Sequence, residues 1–356
     1  MDFDGPAPAL HQDPRRWSTP FRDHTGDLEV KVVAITRILD EADIVEAFVR
    51  HTRTLVDHHI FMDNGSHDGT LQILAALKEE GLPISVYLNR CVSFNEANHL
   101  THMYRQAILL HGATWVLCLD VDEFVDDRAV AGGLRKLLSD MDKAETGLDA
   151  IKVSMVEYVA TREDDPAEGV VPLRIKRRQE PTRNCKVMVC GGSANIDMEI
   201  LDGGHGIRRP TRGTRTQPTE AVFLAHYAER SAFQYLAKVI RGWNKALAGG
   251  SGVTSSGASN HYRAPYEALR DRPANLLRNQ QYMGFKNEQP GLAIDPIDYK
   301  GGPLRHTSPQ DEAMRAVRSI LGTVQELALR HGAILDGFPA VRAQVEEWDS
   351  MYTKIC

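Results

Sequence analysis

Short apolar runs alternate with amphipathic segments along the first half of the chain, and this alternation limits the fold more than any other feature. The run VKVVAI at residues 30–35 is continuous and β-branched, which is typical of a parallel strand covered by helices on both faces. The segment after it repeats apolar residues at helical spacing, namely Ile44, Ala47, Phe48 and Leu55. The first unit of the chain is therefore predicted to be a strand followed by a helix.

The same unit recurs along the chain. Further strands are predicted at residues 58–64, 84–89, 115–121 and 150–158, with helices at residues 65–81, 95–112 and 129–138 between them. Four strand–helix–strand units imply right-handed crossovers between parallel strands. We therefore expect an α/β fold with a mostly parallel sheet flanked by helices.

Composition excludes several other classes of protein. The 356 residues are 42% hydrophobic and 25% charged, as in ordinary globular proteins. A net charge of −6 disfavours nucleic-acid binding, which requires a basic face. The five cysteines form no CxxC pair and no zinc-ligand spacing, so reduced thiols and a cytoplasmic location are predicted. No apolar run reaches the ~20 residues of a membrane span, although peripheral membrane association stays open.

Composition also suggests how the chain is divided. Residues 1–27 have no apolar core, so they are predicted to be an N-terminal arm and not a signal peptide. Residues 28–245 contain the strand–helix units and are predicted to form one α/β domain. Residues 246–356 are predicted to be a mainly helical region packed on it, with one helix within residues 308–332.

Acidic and polar residues follow two of the predicted strands. The stretch VLCLDVDEFVDD at residues 116–127 passes from a buried strand into five carboxylates within eight residues. The second strand ends in the polar sequence DNGS at residues 63–66. Ligands of open α/β sheets bind outside the carboxyl ends of the strands. Both polar segments are therefore expected at one ligand-binding edge of the sheet.

Asp120 and Asp122 are the residues in this edge that best suit a metal ion. Alternation along an extended chain places both carboxylates on one side of the backbone. Their mutual repulsion is relieved by a hard cation such as Mg²⁺ or Mn²⁺, which commonly takes one or two protein carboxylates and completes its shell with substrate phosphates. A solvated acidic turn has the same short pattern, but the buried strand and the second polar strand end favour a diphosphate-binding metal site.

Several longer motifs resemble one enzyme family. IFMDNGSHDGT at residues 60–70 and WVLCLDVDEF at residues 115–124 resemble the GT-A glycosyltransferases, in particular the family-2-like group with D-N-G-S-x-D-G-T and D-x-D-E-F motifs. ITRILDEADIVEAFVRHT at residues 35–52 resembles the opening of that group, with Asp40 where Asn is usual and Glu41 matching it. LDGGHGI and AVFLAHYAERSAFQYLAKVIRG, from residue 201 onward, resemble its later segments.

The resemblance implies a GT-A (Rossmann-like) fold with a helical C-terminal extension, and transfer of a sugar from a nucleotide-diphosphate donor to an acceptor hydroxyl. It implies Mn²⁺ or Mg²⁺ as cofactor, a UDP-sugar as the favoured donor, and glycan or polysaccharide assembly as the role. Asp120 and Asp122 would hold the metal and the ribose-diphosphate, with Asp122 the direct ligand, and His205 would complete metal or diphosphate binding. The nucleotide-binding residues would further include Thr36, Arg37, Glu41, Asp63, Asn64 and Lys186.

The catalytic base and the late histidine are less determined. Inverting transfer, which is usual in this group, requires a carboxylate that deprotonates the acceptor hydroxyl. Asp202, Asp197 and Glu157 are the candidates, with Asp202 preferred. His226 competes with His205 as a late ligand, or is a core histidine. The basic loop at residues 208–218 is either an ordinary disordered surface loop or a mobile element that closes over the donor diphosphate.

Two alternative functions stay open. A nucleotidyltransferase also binds a nucleotide with carboxylates on an α/β sheet, but it is expected to show a Gly-rich basic loop after the first strand, which ITRILDEAD lacks. A relative that binds nucleotide sugars without catalysis would keep the same motifs. The oligomeric state, the sugar and the acceptor leave no pattern in the sequence.

Overall fold

The computed structural model describes residues 30–92, 95–144, 146–161, 163–255, 257, 259–273, 291–307 and 312–351. The predicted N-terminal arm lies outside these residues, and the predicted division into domains stays a prediction. The strands are β1 (Val32–Ile38), β2 (His58–Asp63), β3 (Ile84–Leu88), β4 (Trp115–Cys118), β5 (Glu123–Asp126), β6 (Ala150–Glu157), β7 (Arg177–Arg178), β8 (Cys185–Cys190), β9 (Glu199–Ile200), β10 (Ile207–Arg208), β11 (Thr216–His226) and β12 (Ala293–Ile294).

The helices follow the predicted order. They are α1 (Val45–Thr52), α2 (Thr70–Glu79), α3 (Glu96–His111), α4 (Gly133–Lys143), α5 (Val171–Arg174), α6 (Ala232–Ala248), α7 (Gly250–Ser255), α8 (Arg263–Asp271), α9 (Glu312–Gly337) and α10 (Pro339–Asp349). The helix predicted at residues 129–138 begins four residues later, after the left-handed Gly132. None of the described helices is long and apolar enough to span a membrane.

The main sheet has the strand order β3-β2-β1-β4-β8-β6-β11-β5. The strands β3, β2, β1 and β4 are parallel neighbours, and so are β6 and β11. β8 runs antiparallel between β4 and β6, and β5 runs antiparallel to β11. The predicted mostly parallel α/β sheet is confirmed, and the carboxyl ends of β1, β2, β4, β6 and β11 share one edge.

The sheet separates two apolar cores because successive side chains of a strand point to opposite faces. Ala34 of β1 shares one core with Phe48 of α1 and Leu74 of α2. The next residue, Ile35, belongs to the other core together with Met103 of α3. The continuous apolar run of β1 is thus explained by burial on both faces, as the sequence predicted.

Strand β5 was not predicted. The segment Glu123–Asp126 was interpreted as part of an acidic strand exit, whereas all four of its residues are buried. β5 pairs antiparallel with the end of β11, where Glu123 is opposite His226. A long-range strand partner therefore buries carboxylates that local sequence assigns to a solvated turn.

Candidate active site

The carboxyl ends of β1, β2 and β4 place the predicted residues together. Ile38 of β1 is in register with Asp63 of β2, and Ile35 is in register with Cys118, the last residue of β4. Asp120 and Asp122 follow two and four residues after Cys118. These carboxylates therefore lie at the ligand-binding edge that the motif positions indicated.

Asp120 lies at the surface of the site beside a buried lysine. Its side chain is 40% exposed, and Lys186 Nζ donates to its Oδ2 at 2.5 Å. The same ammonium group is 3.3 Å from Oε1 of buried Glu123. Burial lowers the pKa of Lys186, but the charges of Asp120 and Glu123 outweigh it, so the pKa is raised overall. Lys186, from β8, therefore keeps a positive charge at the acid pair.

Asp122 is buried and surrounded by cationic groups. Lys238 of α6 donates to its Oδ2 at 2.6 Å, and His226 Nε2 and a guanidinium nitrogen of Arg230 each lie 3.7 Å from the same oxygen. Burial raises the pKa of Asp122, but Lys238 and His226 outweigh it and lower the pKa well below its usual range. Asp122 is therefore ionised at neutral pH.

His226 connects Asp122 with Glu157, one of the predicted bases. Glu157 and His226 end the parallel strands β6 and β11 in register, and Glu157 Oε1 is 2.7 Å from His226 Nδ1. Burial lowers the pKa of His226, but Asp122 and Glu157 outweigh it and raise the pKa to about 10. Metal-binding histidines are also oriented by a carboxylate on one ring nitrogen, but His226 would have to lose its Nε2 proton before that nitrogen could bind a metal ion.

A fully buried arginine joins the first strand to this centre. Arg230 donates to Asp43 Oδ2 at 2.6 Å and to Glu41, and it lies beside Asp122. Glu41 was predicted to bind the nucleotide; in the structure its carboxylate contacts Arg230, and its N–H donates to Thr70 Oγ1 at 2.8 Å. The segment between β1 and α1 is thereby fixed to the start of α6.

The end of β2 has an acceptor with no partner. Asp63 Oδ1 accepts the N–H groups of Gly65 and Ser66, each at 2.8 Å, and Gly65 has φ +89°, a left-handed conformation that favours glycine. Asp63 Oδ2 is buried and accepts no hydrogen bond from the described part of the chain. A buried acceptor of this kind requires a donor from elsewhere, as the predicted nucleotide contact would supply.

The other predicted nucleotide-binding residues have partners in the protein. Asn64 donates to Cys91 O and accepts from Cys91 N, both at 3.0 Å, and so fixes the exit of β3. Thr36 is buried, with its Oγ1 2.8 Å from His59 Nε2. Arg37 lies 3.7 Å from Glu96 of α3. Of these three, Arg37 is the one that faces an acidic residue, Glu96, at the ligand-binding edge of the sheet, which we call the acidic edge.

Glu96 is a site residue that the sequence analysis did not identify. It accepts the N–H of Gly203 at 3.2 Å in addition to facing Arg37. Burial and the charge of Asp120 raise its pKa. Its position in the first turn of the helix after β3 was the available signal, because that turn faces the same edge as the acid pair. Lys238 and Arg230 were likewise visible only as part of the motif after His226.

The predicted residues between β8 and β11 occupy different positions. His205 is exposed, and its Nδ1 is 2.7 Å from Cys185 O at the start of β8. Asp202 Oδ1 accepts the N–H of Ala97 at the start of α3, at 2.9 Å. Asp197 lies 3.3 Å from Arg209. His205 and Asp202 are thus near the ligand-binding edge, whereas Asp197 is paired with the basic loop.

The basic loop at residues 208–218 does not close over the acid pair in this structure. Arg212 donates twice to Asp149, at 2.8 and 3.0 Å, and Arg209 lies 3.5 Å from the same carboxylate. Asp149 precedes β6, so it marks the edge opposite the carboxyl ends of β6 and β11. Closure over the diphosphate was one of two alternatives, suggested by the position of the loop after His205, but ion pairs with Asp149 hold the loop at the other edge.

The acidic edge suits a divalent ion only as a partial site. Within the described ranges, no group of three or more His, Cys, Asp or Glu side chains is placed to hold a metal. Asp120 and Asp122 supply two carboxylates, and His226 Nε2 is directed at the second. This oxygen-rich set fits Mg²⁺ or Mn²⁺ with the remaining ligands coming from phosphate and water. A bound ion would share the carboxylates of Asp120 and Asp122 with Lys186 and Lys238.

Comparisons with known proteins define what the chain is similar to. No protein-family model and no curated protein matches it. Similar solved structures include a Mycobacterium tuberculosis glucosyl-3-phosphoglycerate synthase with Mn²⁺, UDP and glucosyl-3-phosphoglycerate, at 14% identity and a TM-score of 0.25 over 37% of this chain and 44% of that one. A Pyrobaculum calidifontis mannosyltransferase with GDP-Man and Mn²⁺ matches at 14% identity and a TM-score of 0.31 over 71% and 84%.

A mannose-1-phosphate geranyltransferase from Thermus thermophilus also matches, at 16% identity and a TM-score of 0.25 over 64% of this chain and 68% of that one. The first two structures hold Mn²⁺ together with a nucleotide or a nucleotide sugar. The chain spans under half the length of the mycobacterial synthase. These similarities are partial, and they assign no activity to this chain.

Proposed function

We propose that this protein is a metal-assisted glycosyltransferase that moves a sugar from a nucleotide-diphosphate donor, preferably a UDP-sugar, to an acceptor hydroxyl. The observation that supports this proposal most is the shared edge of the sheet. Asp120 and Asp122 follow β4 there, and Asp63 ends the nearby strand β2 with a buried oxygen to which no described residue donates. The metal pair and a nucleoside contact are thereby separated by the single strand β1. A cytoplasmic role in glycan or polysaccharide assembly belongs to the same proposal.

Each residue has a proposed task in donor binding. Asp63 Oδ2 accepts a hydrogen bond from the base or ribose, and Arg37 lines the nucleotide pocket. Asp120 and Asp122 hold the divalent ion, with His226 or His205 as a third ligand. When bound, the ion supplies positive charge that stabilises the leaving nucleoside diphosphate.

The buried lysines act on the same charge. Lys186 lies at Asp120 and Lys238 lies at Asp122, and both keep their protons because the carboxylates raise their pKa values. Fixed cations aimed at a site of developing negative charge stabilise the transition state without reorganisation. Substitution of Lys186 by Met is therefore expected to lower kcat more than it raises the KM for the donor.

Three carboxylates are proposed for the base that deprotonates the acceptor. Asp202 is preferred because its side chain is exposed near the site. The Ala97 N–H donates to its Oδ1 and so holds the carboxylate in position. Glu157 is held by His226, and Asp197 by Arg209. Loss of transfer with retained donor hydrolysis in Asp202→Asn would identify Asp202 as the base, and the same result in Glu157→Gln would instead select Glu157.

Donor hydrolysis tests the proposal without a known acceptor. Glycosyltransferases of this kind release nucleoside diphosphate slowly to water, so wild-type protein with Mn²⁺ and a panel of UDP- and GDP-sugars is expected to release UDP or GDP. Chelation of the metal and Asp122→Ala should each abolish the release, with circular dichroism showing that the variant is folded. A panel of donors that all bind with Mn²⁺ but are not hydrolysed would indicate a non-catalytic binding protein instead.

A further inference from the structure

The long helix α9 carries its apolar residues on the side that faces solvent. Met314, Val317, Leu321 and Val324 are between 47% and 61% exposed. Their spacing of three, four and three residues places them in one stripe along the helix. We call these four residues the α9 stripe.

The most deeply buried residues of α9 are small or polar. Ala316, Ser319 and Gly322 are its buried residues, and at about 100° per residue their mean direction lies about 180° from that of the α9 stripe. Ser319 receives a hydrogen bond from Arg241 at 2.6 Å and donates to Asp40 at 2.8 Å. A surface helix ordinarily buries its apolar side and exposes its polar side. The four residues of the α9 stripe depart from this arrangement.

The segment after the α9 stripe is also exposed. None of the residues of α10 is buried, and Phe338, Val341, Trp348 and Met351 are 42–64% exposed. An isolated helix shorter than ~12–15 residues is marginal in water, and α10 has 11 residues. Helix α10 contacts α9, but this contact buries none of its residues.

We propose that a second copy of this chain covers the α9 stripe. The three–four spacing of the stripe is that of a coiled-coil seam, and it is suited to another helix. An anionic membrane surface is disfavoured because residues 312–351 contain four arginines and six acidic residues. A second helix of complementary shape fits the spacing of the stripe, and its binding does not require a positively charged surface.

Charge and area favour an antiparallel pair of α9 helices. Exposed Arg318 lies near the start of the segment, and Glu346, Glu347 and Asp349 lie near its end, so a two-fold axis brings the basic end of one copy towards the acidic end of the other. Ten large apolar side chains between residues 314 and 351 are 42–64% exposed. At roughly 80–100 Å² each, all ten together would reach about the 800 Å² per partner that a standard interface buries, and the four residues of the α9 stripe would supply about half of it.

The oligomeric state of the full-length chain tests this proposal. Sedimentation velocity is expected to give twice the mass of the chain at micromolar concentration, and Leu321→Glu is expected to weaken self-association at least 100-fold. Leu110→Glu is the matched control, because Leu110 of α3 is 56% exposed and lies outside the segment. It should leave the dimer intact. Val317→Ser is the second variant, used if Leu321→Glu does not fold by circular dichroism.

Three results would overturn the proposal. One is a monomeric wild-type chain up to tens of micromolar. Another is a dimer that persists in folded Leu321→Glu and Val317→Ser. The third is flotation of a monomeric wild-type chain with vesicles of phosphatidylcholine and phosphatidylglycerol, which would assign the α9 stripe to a membrane.

Discussion

Removing Arg230 should destabilise the protein more than any loss of a surface charge. Its side chain is fully buried between Asp43, Glu41 and Asp122, with hydrogen bonds of 2.6 and 3.0 Å to the carboxylate of Asp43. Arg230→Met keeps most of the volume but leaves buried carboxylates without their cation. Loss of one partner from such a group costs about 3–5 kcal/mol. That is a large part of the ~5–15 kcal/mol that folded proteins have in total.

Equilibrium urea unfolding followed by circular dichroism measures this cost. Lys136→Met is the control, since Lys136 forms an exposed i,i+4 pair with Asp140 that is worth about 0.3–0.5 kcal/mol. Removing Asp43 as well, in Arg230→Met with Asp43→Leu, should recover part of the loss because an apolar replacement of the whole pair is often close to neutral.

The pH dependence of the free energy of unfolding gives a second, independent test of the Arg230–Asp43 pair. Burial raises the pKa of Asp43, but Arg230 outweighs burial and the pKa is lowered overall. The stability that this pair contributes is therefore present above the unfolded pKa of about 3.8, and it is lost as the pH falls through the lower pKa of the folded state. The difference between wild type and Arg230→Met should therefore be largest near pH 7 and narrower at pH 3–4. A difference below about 1 kcal/mol at pH 7, or one independent of pH, would refute the reasoning.

Two further predictions concern packing and titration. Burial and, to a smaller extent, nearby arginines lower the pKa of Lys245 to about 7. As the pH rises, the folded state therefore loses this proton before the unfolded state does. The free energy of unfolding should rise by at most about 1.4 kcal/mol per pH unit from about pH 7 to pH 10. Urea titrations should show a smaller rise in Lys245→Met, and an equal rise would contradict the assignment. Gly191→Ala places a methyl group 2.1 Å from the backbone oxygen of Ala113 and should cost about 1–3 kcal/mol, whereas Gly213→Ala meets no atom within 4 Å and should change the thermal midpoint little. Equal midpoints for the two alanine variants would show that the contact is relieved without cost.

Strands β1 to β4 could be predicted because each is a short apolar run, and a helix directly follows each of the first three. Strand β11 (Thr216–His226) could not, because Pro218 and a run of polar residues occupy its first half. Strand β5 was hidden by its carboxylates, which are buried only because β11 lies opposite them. Local pattern thus identifies strands buried by neighbouring helices and misses strands defined by distant partners.

The residues of the candidate site likewise include some that the sequence predicts and others whose contacts only the fold creates. The positions of Asp63, Asp120 and Asp122 at one edge follow from strand order, which periodicity reveals. The contacts of Arg230 and Lys238 with this edge join residues more than 100 positions apart, and no local pattern encodes them. The roles predicted for Glu41 and Asn64 illustrate the converse, since both side chains have protein partners that only the folded chain brings together.

A crystal soaked with Mn²⁺ and UDP tests the central claim most directly. The account predicts an anomalous Mn²⁺ peak within coordination distance of Asp120 or Asp122, with the diphosphate on the metal and the uridine against Asp63 Oδ2. A UDP molecule bound elsewhere on the protein, with no metal peak at these two carboxylates, would contradict it.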